Sequence, residues 1–182
     1  GLGEATLVSA NAGVSPWTVL AQGVGREVGM NLGLATLLVS ACVLLLWIPL
    51  KQTPGIGTVA NALIVSLVIE LSLGVLPQPE SIQFQLAQAV AGVLLVGLGS
   101  GIYLIANLGP GPRDGLMTGL ASRIDFPIAW VRTTLELAAV AIGWSLGGTI
   151  GLGTVLFAFG IGPAVSLGLY VVGSSFAVAD VD

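Results

Sequence analysis

Apolar residues in this chain run in long unbroken blocks rather than alternating with polar ones. Val28 to Leu50 is 23 residues without a charge, Ser81 to Pro112 is 32, and Leu137 to Ala179 is 43. A hydrocarbon core about 30 Å thick takes roughly 20 residues of helix at a rise of 1.5 Å each. The first block therefore predicts one crossing. Thr53 to Pro77, with Glu70 near its far end, predicts another. The block from Ser81 predicts a crossing that runs into a Gly- and Pro-rich break. The last block is about two crossings long and must turn back, and the signal for that turn is Gly147-Gly148-Thr149-Ile150-Gly151-Leu152-Gly153. The opening stretch, Gly1 to Ala12, is apolar apart from Glu4 and too short to cross. It lacks the basic start of a signal peptide and reads as the end of a helix that begins before Gly1.

Sliding the chain against itself by 96 positions reveals a repeat. Gly1-Leu2-Gly3 falls on Gly97-Leu98-Gly99, and Ala10-Asn11-x-Gly13-x-x-Pro16 falls on Ala106-Asn107-x-Gly109-x-x-Pro112. Further on, Gly55-x-Gly57-Thr58-Val59 matches Gly151-x-Gly153-Thr154-Val155. Each unit reads as a helix ending at Asn-x-Gly, a short segment after Pro, a second helix, a Gly-rich turn and a third helix. The short segments, Pro16 to Gly29 and Pro112 to Ile124, hold charges and are too short to span. They are expected to be half-helices, either re-entrant or lying at the interface. The expected fold is thus all-α and polytopic, with two three-span repeats, residues 1–78 and 79–182, each carrying a Pro-led half-helix. Three crossings per unit invert the second unit relative to the first. If each short segment crossed as well, the units would instead be parallel. With the inverted arrangement, Lys51, Arg113 and Arg123 fall on one side and Arg26 on the other, so the positive-inside rule puts both termini in the cytoplasm.

Composition then removes whole classes of function. Only 8% of the 182 residues are charged while 55% are hydrophobic, too few polar side chains to cover a water-facing surface. Five Lys plus Arg and a net charge of -4 leave no basic stripe for nucleic acid. Histidine is absent, which excludes His-based acid–base chemistry and most metal sites, and no cofactor or metal is expected. The lone cysteine, Cys42, reads as a buried small hydrophobe. Gly-x-Gly pairs occur without the Gly-Lys-Ser/Thr of a phosphate loop. Trp17, Trp47, Trp130 and Trp144 fall near span ends, as interfacial belts require.

The most distinctive string is Asn107-Leu108-Gly109-Pro110-Gly111-Pro112-Arg113-Asp114-Gly115-Leu116-Met117-Thr118-Gly119-Leu120. With Gly1-Leu2-Gly3-Glu4-Ala5, Ser15-Pro16-Trp17, Trp47-Ile48-Pro49-Leu50, Val131-Arg132-Thr133-x-x-Glu136 and Gly151-x-Gly153-Thr154-Val155, it resembles the YczE branch of the YczE/YyaS/YitT membrane proteins of bacteria. The resemblance reaches to about Leu167. It implies a multi-spanning protein of the bacterial inner membrane for which transport is supposed, and it carries no catalytic residues over. The ends depart from it: the opening helix is short, and the tail from Ser174 to Asp182 is acidic.

Several residues stand out as candidates for a solute path: Asn11, Gly13, Pro16, Asn107, Gly109, Pro112, Asp114, Arg132 and Glu136. Two Asn-x-Gly-x-x-Pro breaks heading half-helices from opposite sides aim helix N-termini and freed carbonyls at a midplane site. They serve equally as a helix end and a helix start lying flat in the headgroups. Arg132 and Glu136 stand four apart on one face of the fifth span, where charges must pair or line an aqueous path, and a structural ion pair satisfies the same requirement. Asp114 suits a first-turn dipole partner, Arg113 and Arg123 suit headgroup topology determinants, and Glu4 and Glu70 suit a proton or cation carrier or, for Glu70, snorkelling. Gly97-x-x-x-Gly101, Gly115-x-x-x-Gly119 and Gly143-x-x-x-Gly147 read as packing seams. The leading expectation is a small-solute transporter or channel-like membrane protein with its path between the units, contacting lipid, an unidentified solute or ion, and a second copy or membrane partner. The alternative is a non-catalytic scaffold or accessory subunit of a membrane complex. An enzyme is not expected, because the paired carboxylates, His or Cys clusters of such chemistry are missing or not on matching faces.

Overall fold

The computed structural model describes residues 1–177, with side chains to 172; positions 178–182, the end of the acidic tail, lie outside the described residues. The chain is all-α. In order the helices are α1 (Leu2–Ser9), α2 (Pro16–Val28), α3 (Leu32–Leu45), α4 (Trp47–Leu50), α5 (Ile56–Leu73), α6 (Ile82–Ala106), α7 (Pro112–Ile124), α8 (Ile128–Ser145) and α9 (Leu152–Ala177).

Local chemistry sets the boundaries. Proline opens both α2 and α7, where its missing N–H costs nothing, after Ser15 and Gly111 in extended backbone. Asn31 caps α3 by accepting the Leu34 N–H at 2.9 Å. Thr58 and Thr154 each accept the N–H of the glycine three residues before, Gly55 at 3.2 Å and Gly151 at 3.3 Å, and so start α5 and α9. The residues with left-handed backbone form four pairs, each 96 positions apart: Asn11 and Asn107, Gly13 and Gly109, Gly29 and Asp125, Lys51 and Gly147.

Four helices are long and apolar enough to cross a bilayer: Leu32–Leu50, in which α4 continues α3, then Ile56–Leu73, Ile82–Ala106 and Leu152–Val172. The expected count of six differs at two places. The described part of α1 is 8 residues long, and α8, at 18 residues, carries Arg132, Glu136 and two threonines within its apolar run. Large apolar side chains such as Phe84, Phe159 and Tyr170 stand outward, more than two-thirds exposed, a surface that hydrocarbon solvates and water does not.

The interior has two cores. Leu7, Ala89, Phe157 and Ile161 join α1, α6 and α9, while Trp17, Val39, Trp47 and Met117 join α2, α3, α4 and α7. Small residues let the backbones close up. Cβ atoms on Gly97 and Gly101 would overlap Ala164 and Gly168 on α9, so that seam forms as expected. A Cβ on Gly115 would overlap the Trp47 ring, and one on Gly119 would press on Gln52. Gly143 is pressed against Val19 and Leu20, but Gly147 lies beyond the end of α8 in a left-handed turn and takes no part in a seam.

Two further expectations are corrected. Cys42 is exposed, because α3 buries the stripe of Gly33, Thr36, Val39, Ser40 and Val43 and leaves Cys42 on the outer face. Trp17 and Trp47 are core residues, 8% and 2% exposed, rather than belt residues: glycines on α7 leave a notch that Trp47 fills. Trp130 and Trp144 are exposed, in keeping with a belt. Arg113 is half-buried, with its guanidinium over the Trp17 ring.

Candidate functional site

The two chain breaks between Asn and Pro are each seated on the Gly-x-Gly-Thr turn of the other part of the chain. Gly153 donates its N–H to Ala12 O at 2.7 Å, and Gly57, 96 positions earlier, donates to Leu108 O at 2.9 Å. Gly13 and Gly109 have φ of 109° and 112°, and a Cβ on either would crowd the facing turn, so both backbone conformation and close approach require glycine. One bond reverses its sense. Val14 donates its N–H to Thr154 Oγ1 at 3.1 Å. At the matching position Pro110 has no N–H, and the Thr58 hydroxyl instead donates to the Pro110 carbonyl at 2.7 Å.

These seats bring the starts of α2 and α7 together. Trp17 and Arg113 are each the second residue of their helix, and Arg113 Cζ lies 5.6 Å from the centroid of the Trp17 ring. The Trp17 indole N–H is buried without a hydrogen-bond partner. Glu4, 6% exposed on α1, closes one side of this contact: Ser15 and Thr18 both place hydroxyls 2.8 Å from Glu4 Oε2. Both hydroxyls are buried at the first turn of α2, where a carboxylate also complements the helix dipole.

On the other side the arrangement is reversed. Asp114, in the first turn of α7, accepts a hydrogen bond from the Tyr103 hydroxyl on α6. Here the acid belongs to the short helix and the hydroxyl to the long one. Asp114 is exposed, unlike Glu4. Trp47 ties α4 to the same point by donating its indole N–H to Pro112 O at 3.0 Å. Arg132 Nε and Glu136 Oε1 on α8 are paired at 2.9 Å, Arg132 being the more exposed. The α3 residues 96 positions earlier, Thr36 and Ser40, are buried, and the Thr36 hydroxyl has no partner.

Of the candidate path residues, Pro16, Pro112 and Asp114 therefore stand at the meeting of the two helix starts, and Gly13 and Gly109 form the seats behind them. Asn11 and Asn107 are exposed, with φ of 54° and 49°, and end their helices in left-handed backbone. The ion pair of Arg132 and Glu136 is made within α8. Glu70 accepts the Gly33 N–H at 3.0 Å and so joins α5 to the start of α3. What sequence reasoning misses is the inward Arg113, the buried Trp17 and the Glu4 clamp with Ser15 and Thr18. The 96-position offset holds a signal for the first two, since it sets Trp17 on Arg113. Among the described residues no group of His, Cys, Asp and Glu is arranged to hold a metal ion.

Comparison with known proteins agrees with this architecture. A family of unknown function, DUF6198, matches residues 1–168. An uncharacterized protein of Haemophilus influenzae is 38% identical over 172 residues, covering 94% of this chain and 79% of that protein. The uncharacterized membrane protein YczE of Bacillus subtilis is 30% identical over 147 residues, 80% of this chain and 68% of YczE. The uncharacterized protein YyaS of the same organism is 26% identical over 159 residues, 85% of this chain and 79% of YyaS. No solved structure matches. A bacterial membrane protein with several candidate spans and with YczE and YyaS among its relatives, this chain belongs to the DUF6198 family.

Proposed function

We propose that the protein is a small-solute transporter or channel-like protein, built of two inverted units over 1–78 and 79–182, with its site where the two Pro-led helices meet. The observation that carries this reading is the contact of Trp17 with Arg113, because it sets two helix N-termini against each other inside the protein. The reciprocal bonds of Gly57 with Leu108 and of Gly153 with Ala12 support a two-fold relation between the units. Broken helices meeting at depth are how many transporters build a polar site in lipid, with unpaired backbone groups turned to the solute. The pair of Arg132 and Glu136 belongs to the path in this reading, as ionisable residues among membrane helices commonly do, paired with each other at rest. The termini face the cytoplasm, and the protein acts without catalysis.

The test is solute flux into proteoliposomes, measured by light scattering with a panel of small neutral, anionic and cationic solutes. Flux of at least one solute above protein-free vesicles, reduced by Glu136→Gln in protein that inserts normally, is the expected result. Unchanged flux in that variant removes Glu136 from the path. Background flux for every solute, with a stoichiometric partner co-purifying, favours the scaffold reading instead.

A further inference from the structure

We infer that the meeting point of α2 and α7 is a binding site for a small oxyanion or carboxylate, held by the Arg113 guanidinium. The inference rests on the solute site proposed above and names the class of solute. Among the described residues Arg113 makes no hydrogen bond and no ion pair; its guanidinium lies over the Trp17 ring, with the Glu4 and Asp114 carboxylates as electrostatic neighbours beyond ion-pair distance. The Trp17 side chain is 8% exposed, and its indole N–H has no acceptor. A buried donor without an acceptor is expensive, and the Trp17 indole N–H beside a half-buried guanidinium that no carboxylate clamps favours an acceptor from outside.

The backbone adds to the same sign. The 13-residue helices α2 and α7 both begin at this point, and neither start is capped by a side-chain hydrogen bond. Their free first-turn N–H groups and dipoles favour negative charge. The opposing elements are two carboxylates, Glu4, held by Ser15 and Thr18, and Asp114, held by Tyr103; neither forms an ion pair with Arg113. They keep the cluster from being a permanent cation and set the affinity low enough for release. A planar carboxylate or a tetrahedral oxyanion presents two oxygens to the guanidinium fork, which a single-atom ligand does not.

The experiment uses the purified chain in detergent, titrated with sodium formate and, separately, with inorganic phosphate, against sodium chloride, a single-atom anion, at matched ionic strength. Calorimetry and tryptophan fluorescence report binding. Saturable binding of formate, of phosphate or of both supports the site and tells the carboxylate source from the oxyanion source. Arg113→Gln weakens that binding at least tenfold. Arg113→Lys, which keeps the charge and loses the fork, weakens it about tenfold, and Glu4→Gln, which removes one opposing charge, strengthens it severalfold. Absence of saturable binding for both anions, or equal affinity in wild type and Arg113→Lys, overturns the inference. Binding without flux keeps the site and removes the transport reading, whereas flux without anion binding keeps transport and overturns the site.

Discussion

The starts of α2 and α7 occupy the same place in two similar stretches of chain, yet they solve one problem with opposite chemistry. At α2 the acid is Glu4 on the neighbouring helix α1, buried, and α2 and its cap supply the hydroxyls. At α7 the acid is Asp114 on the short helix, exposed, and the long helix supplies the Tyr103 hydroxyl. The packing is exchanged in the same way. Gly115 on α7 takes the bulk of Trp47 on α4, while at the equivalent positions Val19 on α2 packs on Gly143 of α8. Each start is thus locked by a large-on-small contact and an acid–hydroxyl bond, and neither requires the same residue on both sides. What the two share without change is the backbone: left-handed Asn, left-handed Gly, then Pro. The lesson is that the two helix starts need equal backbone geometry and tolerate unequal side chains, and the inequality puts one arginine against one tryptophan.

The comparison is broken most strongly at the exchanged seam. Gly115→Val gives α7 the side chain α2 carries at the matching position, but here it collides with Trp47, and about 3 kcal/mol or more of stability is lost. Thermal unfolding in detergent measures this, and the Trp47→Gly, Gly115→Val double variant loses less than the sum of the two single losses, because the collision is gone. Next come the seats. Gly13→Ala and Gly109→Ala each force a side chain into left-handed backbone, a cost of about 1–2 kcal/mol. The first loses more, since its Cβ meets the backbone N of Gly151 at 2.6 Å and the second meets the Thr58 hydroxyl at 2.9 Å.

Hydrogen bonds sharpen the comparison at smaller scale. Thr18→Val strips a buried carboxylate of one of its two donors and costs about 1–3 kcal/mol, whereas Tyr103→Phe frees an exposed one and costs about 1 kcal/mol or less. Equal losses would mean that the two acids stand in the same surroundings. The smallest difference is expected between Thr58→Ala and Thr154→Ala. Each removes one seat bond and one helix-start bond, about 1 kcal/mol apiece, even though one hydroxyl donates to its seat and the other accepts.

Much of the fold is legible in the sequence because lipid imposes it. Uncharged blocks set the long helices, Pro16 and Pro112 open the short ones at the expected residues, and the Gly147 to Gly153 turn separates α8 from α9. The site is legible in part. Rules that count residue types by position treat tryptophan as a belt and arginine as a topology mark, and neither rule knows what the side chain faces. Trp47 is buried because a glycine 68 positions later leaves room for it, and Arg113 turns inward because α7 starts inside the protein rather than at its rim. Cys42 shows the converse: an apolar run does not say which face meets lipid, and the outer face of a membrane helix is as apolar as the inner one.

The account depends on α2 and α7 entering the membrane from opposite faces to meet head to head, and labelling their outer ends tests this directly. Single cysteines at the exposed positions Glu27 and Arg123, in a Cys42→Ser background, are treated in sealed vesicles with a membrane-impermeant maleimide from either side. The account predicts that the two positions react from opposite compartments; reaction of both from the same compartment contradicts it.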